Sequence, residues 1–300
     1  MKAIYLSCLC VALWLPGARL QAQQMATSTP ASLKTAPDKY LAFDDVRLRY
    51  RDFGKGEPIV LLHGYSDNLE MTWSEVADSL AKTNRVIALD QRGFGKSSKF
   101  SDPAHYQTGL FTDVIRLLDS LGIQRAHIIG HSMGALVAAN VALRYPKRMA
   151  TVTLVSGAMY PDSASLPKAI GNNMTIDLRQ GRGISGIVAF FYPTLTDTAM
   201  IQAINKDVML RNDLGSLIAV SQVTPSWLIS QKQATKAPMP ALLMAGTNDP
   251  LLPTSRQVAG HWPGARFVEV ANAGHDDVLQ KPEFLREVRA WLKAGSRRSR

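Results

Sequence analysis

The stretch RAHIIGHSMGALVAANVALR, residues 125–144, decides the fold of this chain. A short apolar run at residues 126–129 predicts a buried strand, and the Ala-, Val- and Leu-rich run that ends the stretch predicts a buried helix. Between them lies the pentapeptide Gly-His-Ser-Met-Gly, residues 130–134. A strand, a sharp turn and a helix are the context in which a G-x-S-x-G motif exposes its serine at the end of a sheet strand.

The two glycines of this turn explain how its serine would become reactive. Gly130 and Gly134 have no Cβ to clash where strand and helix meet. The strained turn holds the hydroxyl of Ser132 clear of the backbone, at the positive end of the following helix. The pattern therefore marks Ser132 as a candidate nucleophile, and the alternative is an inert serine in a glycine-rich turn.

The first 22 residues have the pattern of a secretory signal peptide. Lys2 supplies a positive charge, residues 3–15 are apolar but short for a bilayer span, and residues 20–22 offer a small residue for cleavage. We expect a protein exported to the periplasm or secreted, with no stable membrane insertion of the mature chain. The alternative is an uncleaved membrane anchor.

The amino-acid composition limits which kinds of disulfide, metal site and binding partner we expect. Both cysteines, Cys8 and Cys10, fall in the signal segment, so the mature chain is expected to lack disulfides and cysteine-based metal sites. The net charge of +10 favours a basic soluble protein with a basic tail at residues 295–300, and a surface for anionic polymers is the alternative. No zinc spacing or aromatic-interleaved basic stripe indicates nucleic-acid binding.

The remaining sequence divides into a core and an insert. Residues 23–39 are rich in Ser, Thr, Ala and Pro and predict a flexible linker. Alternating strand and helix patterns over residues 40–158 and 234–294 predict the core. Residues 159–233 break this alternation with helix-like pieces between prolines, and predict a helical lid inserted after the sixth strand. Extra helices packed at the side of the core are the alternative.

The alternation predicts the fold class. Buried parallel strands appear as continuous apolar runs, and alternating strands and helices imply a mostly parallel, doubly wound sheet of the α/β class. The predicted strands are residues 46–51, 58–62, 85–89, 126–129, 149–155, 241–245 and 266–270. The predicted helices include residues 72–81, 106–121 and 282–292. In such sheets the active site forms at the carboxyl ends of the strands.

Three chemically suited residues follow three different predicted strands. They are Ser132, Asp249 and His275, in the chain order Ser, Asp, His that an α/β hydrolase uses. A serine hydroxyl needs a base to become a nucleophile, and the base needs an acid to fix its tautomer. Asp162 is the alternative acid. Asp276 adjoins His275 and is expected to point away from it.

Five segments together resemble the α/β-hydrolase superfamily, in its lidded branch of esterases, lactonases, carbon–carbon bond hydrolases and cofactor-free haloperoxidases. The insert carries no matching motif. The matching segments cover nearly all of the chain after residue 40: LLHGYSDN at 61–68, LDQRGFGKSS at 89–98, IIGHSMG at 128–134, AGTNDPLLP at 245–253 and NAGHDDVLQKPEF at 272–284.

The resemblance implies a role for each site residue. Ser132 would be the nucleophile, His275 the base and Asp249 the acid. The backbone N–H groups of Tyr65 and Met133 would form the oxyanion hole, which stabilises the tetrahedral intermediate. His63 and His131 are weaker candidates for the base. The residues expected to support the loop geometry are His63, Gly64, Gly130, His131 and Gly134.

The resulting expectation is a serine hydrolase. It would cleave an ester, thioester, lactone or amide carbonyl of a small molecule with an apolar part, through an acyl-enzyme, without a metal or organic cofactor. The alternatives are a carbon–carbon bond hydrolase or a perhydrolase of haloperoxidase type with the same triad, a non-catalytic binding member of the fold, and a basic surface-binding protein.

Overall fold

An eight-stranded sheet organises the protein. The computed structural model describes residues 31–158 and 172–298, and within them the sheet has the strand order β1-β2-β4-β3-β5-β6-β7-β8. β1 and β2 pair antiparallel with their neighbours and all later pairs are parallel. The strands are β1 Lys39–Phe43, β2 Val46–Gly54, β3 Pro58–Leu62, β4 Arg85–Leu89, β5 Ala126–His131, β6 Met149–Val155, β7 Ala241–Gly246 and β8 Arg266–Val270. The predicted α/β fold with a mostly parallel sheet is confirmed.

Helices in the described ranges cover both faces of this sheet. They are α1 Leu69–Trp73, α2 Ala77–Ala81, α3 Gly109–Ser120, α4 Met133–Arg144, α5 Asn172–Arg179, α6 Ser185–Phe191, α7 Thr198–Arg211, α8 Leu214–Trp227, α9 Gln231–Ala234, α10 Leu252–His261 and α11 Pro282–Arg298. Short 3₁₀ turns lie at Pro103–His105, Pro146–Arg148 and Asp277–Gln280.

The alternating side chains of β3 show why the sheet needs helices on both faces. Val60 and Leu62 pack into one core with α3 and α4, whereas Ile59 and Leu61 pack into a second core with α1, α2 and α11. All four side chains are fully buried. A strand buried on both faces has no polar side, which explains its continuous apolar sequence.

The prediction of a flexible linker over residues 23–39 is wrong for its described part, residues 31–39. Leu33 and Ala36 are only 2% and 3% exposed. The backbone N–H of Leu33 donates to Asp78 at 2.6 Å, and Asp38 pairs with Arg49 at 2.6 Å. A few apolar residues that find tertiary partners therefore order a segment whose average composition is polar. Residues 1–30, with the predicted signal peptide, lie outside the described residues.

Two helix predictions need correction. The predicted helix at residues 72–81 is two short helices, α1 and α2. The side chain of Asn68 caps the backbone N–H groups of Glu70 and Met71, so α1 starts before residue 72. The closing helix α11 continues beyond residue 292 into the predicted basic tail. A Cβ on Gly295 would lie 2.1 Å from the Thr151 side chain, so this glycine lets the helix pass close to β6.

The helices α5 to α9 lie between β6 and β7, at the position of the predicted insert. Pro225 lies inside α8, although the sequence suggested that the prolines separate the helices. Residues 159–171 of the insert, which include Asp162, lie outside the described residues. In the part of the chain that is described, no helix has the length and apolarity to cross a membrane.

Candidate active site

Ser132 lies in the sharp turn between β5 and α4. Its backbone angles are φ 52° and ψ −119°, a strained conformation for a residue with a side chain. A Cβ on Gly130 would lie 2.1 Å from the carbonyl oxygen of Gly134, and one on Gly134 would lie 2.2 Å from that of Leu62. Both positions therefore require glycine, as the sequence pattern indicated.

The structure brings Ser132, His275 and Asp249 together from the ends of β5, β8 and β7. His275 Nε2 lies 2.9 Å from Ser132 Oγ. His275 Nδ1 lies 3.2 Å and 3.3 Å from the two carboxylate oxygens of Asp249. Because a carboxylate accepts, Nδ1 carries the proton and Nε2 is left with its lone pair toward the serine hydroxyl. This is the geometry of a serine activated by a base.

Asp249 is held ionised beside this base. The residue is only 3% exposed, and this burial raises the pKa of its carboxyl group. The hydrogen bond and charge of His275, together with the backbone N–H of Leu251 at 2.9 Å, oppose the burial and hold the pKa of Asp249 below its usual range. At neutral pH the carboxylate is therefore charged, as the stabilisation of an imidazolium requires.

The two residues predicted to supply the oxyanion hole, Tyr65 and Met133, line the same cavity as Ser132. The loop after β3 passes beside the serine, since a Cβ on Gly64 would lie 3.5 Å from Ser132 Cβ. Among the described residues the N–H of Tyr65 makes no hydrogen bond. The N–H of Met133 heads α4, where helices have no internal acceptor. Both donors are therefore available to a substrate oxygen.

His63 lies at the start of this loop, and both of its ring nitrogens form hydrogen bonds that hold the loop in place. The backbone N–H of Gln91 donates to its Nε2 at 3.0 Å, so the proton is on Nδ1, which donates to the carbonyl of Gly64 at 2.8 Å. The Gln91 side chain also donates to the His63 carbonyl at 2.8 Å. Burial lowers the pKa of His63. A neutral ring with both nitrogens bonded has no means of acting as the base.

His131 supports the loop of the base. Its Nε2 donates to the backbone carbonyl of His275 at 2.9 Å. Burial, and then the nearby imidazole of His275, lower the pKa of His131, which keeps the ring neutral. The ring is 2% exposed and its Nδ1 has no partner among the described residues.

A cavity of about 380 Å³ opens at Ser132 and His275. Much of its wall is apolar and comes from the inserted helices and the segments that join them. The aromatic ring of Phe191 stacks on His275 with 3.7 Å between ring centroids. The apolar residues from the insert are Met174, Ile184, Ile187, Val188, Phe191, Ile204 and Val208.

Polar residues of the same wall were not identified from the sequence. Asp67, Glu75 and Arg211 line the cavity. Asp276 also lines it, and accepts a hydrogen bond from the hydroxyl of Tyr192, in place of one from His275. A signal for Asp67 existed, because it lies in the segment LLHGYSDN at 61–68 next to the predicted oxyanion loop.

One group of donor atoms has the spacing of a metal site. Ring nitrogens of His131 and His275 and a carboxylate oxygen of Asp276 lie within 4.8 Å of one another. Both nitrogens of His275 already bond Ser132 and Asp249, and Nε2 of His131 bonds a carbonyl. A metal ion would displace these bonds, so the geometry favours a hydrogen-bonded site.

Comparison with known proteins gives relatives of several activities. The dihydrolipoyllysine-residue acetyltransferase component of the acetoin cleaving system of Pseudomonas putida is 31% identical over 76% of this chain, and the chain spans 61% of that protein. The 2-hydroxymuconate semialdehyde hydrolase of Pseudomonas sp. strain CF600 is 28% identical over 77% of this chain and 84% of its own length.

Solved structures show the same fold. The enol-lactonase from Burkholderia xenovorans LB400 superposes with a TM-score of 0.71 at 24% identity, over 85% of this chain and all of that one (100%). The alpha/beta hydrolase fold family matches residues 57–282, well over half of the sequence. This match spans β3 to the start of α11 and includes all three side chains of the hydrogen-bonded site. The chain belongs to the alpha/beta hydrolase fold family.

Proposed function

We propose that this protein is a serine hydrolase that cleaves an ester, thioester, lactone or amide carbonyl through an acyl-enzyme. The observation that carries the proposal is the hydrogen-bonded series of Ser132 Oγ, the two ring nitrogens of His275 and the carboxylate of Asp249. Each group in this series has the partner that nucleophilic catalysis by serine requires.

The geometry gives each group a step. Ser132 attacks the carbonyl carbon while His275 Nε2 takes the hydroxyl proton, and Asp249 stabilises the resulting imidazolium. The N–H groups of Tyr65 and Met133 donate to the oxyanion. His275 then gives its proton to the leaving group, and the same base activates the water that releases the acid.

The cavity supports a small-molecule substrate with an apolar part. Its volume of about 380 Å³ falls within the usual range for a small ligand site. Apolar side chains from the insert line the same cavity as the nucleophile. An acyl chain bound there would gain roughly 0.8 kcal/mol for each buried methylene.

A second candidate is hydrolysis of a carbon–carbon bond with the same three residues. The observation that favours it is the similarity to the 2-hydroxymuconate semialdehyde hydrolase of Pseudomonas. A substrate panel that contains simple esters and 2-hydroxymuconate semialdehyde separates the two reactions, because each candidate predicts turnover of one class well above the other.

The first test is hydrolysis of p-nitrophenyl esters from acetate to decanoate. Ser132→Ala should lower turnover on the order of 10⁴–10⁶-fold, because the triad acts as a unit. Ser120→Ala is the matched control, since this serine is exposed at the end of α3. Undiminished activity in Ser132→Ala would refute the assignment of the nucleophile.

Export is part of the proposal. The support is the sequence pattern of residues 1–22, with its positive charge, apolar run and small residue at the cleavage point. Intact-mass measurement of the protein from the periplasm or medium should show loss of this segment. Recovery of the uncleaved chain from the cytoplasm would contradict export.

A further inference from the structure

The charged wall of the cavity is dominated by carboxylates. Asp67, Glu75 and Asp276 line it, from the loop after β3, the segment after α1 and the loop of the base. The cation in this wall is Arg211, whose Nε pairs with Asp207 at 2.7 Å. The charge of Arg211 is therefore already compensated by a carboxylate of its own helix, and the wall is acidic in a chain of net charge +10.

Three groups surround one point beside the nucleophile. The position that a Cβ of Gly64 would occupy lies 3.5 Å from Ser132 Cβ, 3.5 Å from His131 Nδ1 and 3.6 Å from Asp67 Oδ2. A carboxylate oxygen of Asp276 lies within 4.8 Å of a ring nitrogen of His131. Both carboxylates therefore lie near the His131 ring, whose residue adjoins Ser132 in the chain.

His131 offers an unused acceptor at this point. Its Nε2–H donates to a carbonyl, which can only accept, so Nδ1 of the neutral ring is a lone pair. This nitrogen is buried, belongs to a residue of the cavity wall and has no partner within the described ranges. An unpartnered buried acceptor is costly, and a ligand that supplies a donor would remove the cost.

Several hydroxyl donors of the same wall are already engaged. Thr72 donates its hydroxyl to Asp67 at 2.8 Å, Tyr65 to the carbonyl of Leu217 at 2.8 Å, and Thr224 to that of Val220 at 2.8 Å. The hydroxyl of Tyr192 donates to Asp276. Away from the backbone N–H groups of Tyr65 and Met133, a ligand between these carboxylates therefore finds acceptors and negative charge, and itself brings the donors.

We propose that the substrate carries an ammonium group close to the scissile carbonyl, bound between Asp67 and Asp276 with His131 Nδ1 as the neutral acceptor. This inference rests on the proposed function, since it names the substrate class of the same site. An ammonium supplies three N–H donors and one positive charge, which matches two carboxylates and one lone pair. The same charges disfavour substrates with a carboxylate at this position.

The test uses ligands of one shape and different charge. Binding of hexylammonium, hexan-1-ol and hexanoate to the full chain is measured by isothermal titration calorimetry, so that no turnover is needed. We expect hexylammonium to bind about tenfold or more tightly than hexan-1-ol, and hexanoate to bind more weakly than the alcohol. The preference should shrink as salt rises from 10 mM to 500 mM, because ions screen the exposed carboxylates.

Variants that remove the carboxylate charges test which residues cause the preference for the ammonium ligand. The double variant Asp67→Asn, Asp276→Asn should bring the ratio of ammonium to alcohol affinity close to one. Asp119→Asn is the matched control, an exposed aspartate on α3 that pairs with Arg148, and should keep the full ratio. Equal affinity of the wild-type protein for the three ligands, or a preference that survives the double variant, would overturn the inference.

The experiments can overturn the ammonium substrate class and the serine hydrolase activity independently of each other. Hydrolysis of neutral p-nitrophenyl esters that depends on Ser132, without an ammonium preference in binding, would overturn only the substrate class. A preference for hexylammonium in a protein that hydrolyses no ester would support the ammonium site and contradict the serine hydrolase.

Discussion

The turn at Ser132 and the inserted helices form two sides of one cavity and differ in how tightly they are specified. At the turn, two glycines permit backbone contacts that a Cβ would block, and nearly every residue of α4 is buried. The insert presents many half-exposed side chains, and Met200 and Leu210 on α7 are 53% and 76% exposed. The difference indicates that the sheet fixes the chemistry, while the insert sets which molecule reaches it.

The largest effect expected at the sheet side comes from His275→Ala. Loss of the base should lower turnover of a p-nitrophenyl ester on the order of 10⁴–10⁶-fold. Turnover is measured in the ester assay. Far-ultraviolet circular dichroism of the same variant checks that it is folded. The matched control is His261→Ala, a half-exposed histidine at the end of α10. Turnover within tenfold of wild type would contradict the role of His275.

The second prediction concerns the rigidity of the turn. Gly134→Ala places a Cβ 2.2 Å from the carbonyl oxygen of Leu62, so backbone must move. We expect a loss of about 3 kcal/mol in the free energy of unfolding. Urea denaturation measures it, and Gly260→Ala on α10 is the control because nothing lies within 4 Å of its Cβ. Equal stability of the two variants would show that the turn tolerates a side chain.

The third prediction concerns the insert. Val208 on α7 is 5% exposed and lines the cavity, so Val208→Phe should fill space that a long acyl chain needs. We expect kcat/KM for decanoate to fall about 10- to 100-fold relative to acetate. Ala203→Phe, at an exposed position of the same helix, should leave the chain-length profile unchanged. An unaltered profile in Val208→Phe would place the acyl chain elsewhere.

The smallest effect is a pH dependence at Asp249. The pKa of this carboxyl is lower in the folded protein than its ordinary value of about 3.9. A lowered pKa contributes stability above the unfolded value, and this contribution is lost as pH falls through the folded value. The difference in unfolding free energy between wild type and Asp249→Asn should therefore shrink as the pH falls below about 4, where the carboxylate becomes protonated. A difference that stays unchanged from about pH 4 to about pH 2 would contradict the ionised state.

The strands and the turn on the Ser132 side of the cavity can be predicted from the sequence for a physical reason. A strand buried on both faces must be apolar throughout, and a turn with crowded backbone must contain glycine, so β3, β5, Gly130 and Gly134 can be recognised locally. The chain order of Ser132, Asp249 and His275 then indicates a common edge of the sheet.

Features that depend on distant partners could not be predicted. Leu33 is buried although its surroundings in the sequence are polar, because the fold places it in the core with α1 and α2. Asp276 lies in one wall with Asp67 and Glu75, although it is far from both in the chain. Of the bulky insert residues, Phe191 reaches His275, whereas Trp227 packs in the core and donates to the carbonyl of Gln107. No local pattern separates these outcomes.

The central claim is that the turn at residues 130–134 presents a nucleophile activated by His275. Its most direct test is labelling with a fluorophosphonate, followed by intact-mass measurement and peptide mapping. The account predicts one adduct, on Ser132, which is absent in Ser132→Ala and strongly slowed in His275→Ala. An adduct on another residue, or labelling of Ser132 at an unchanged rate in His275→Ala, would contradict it.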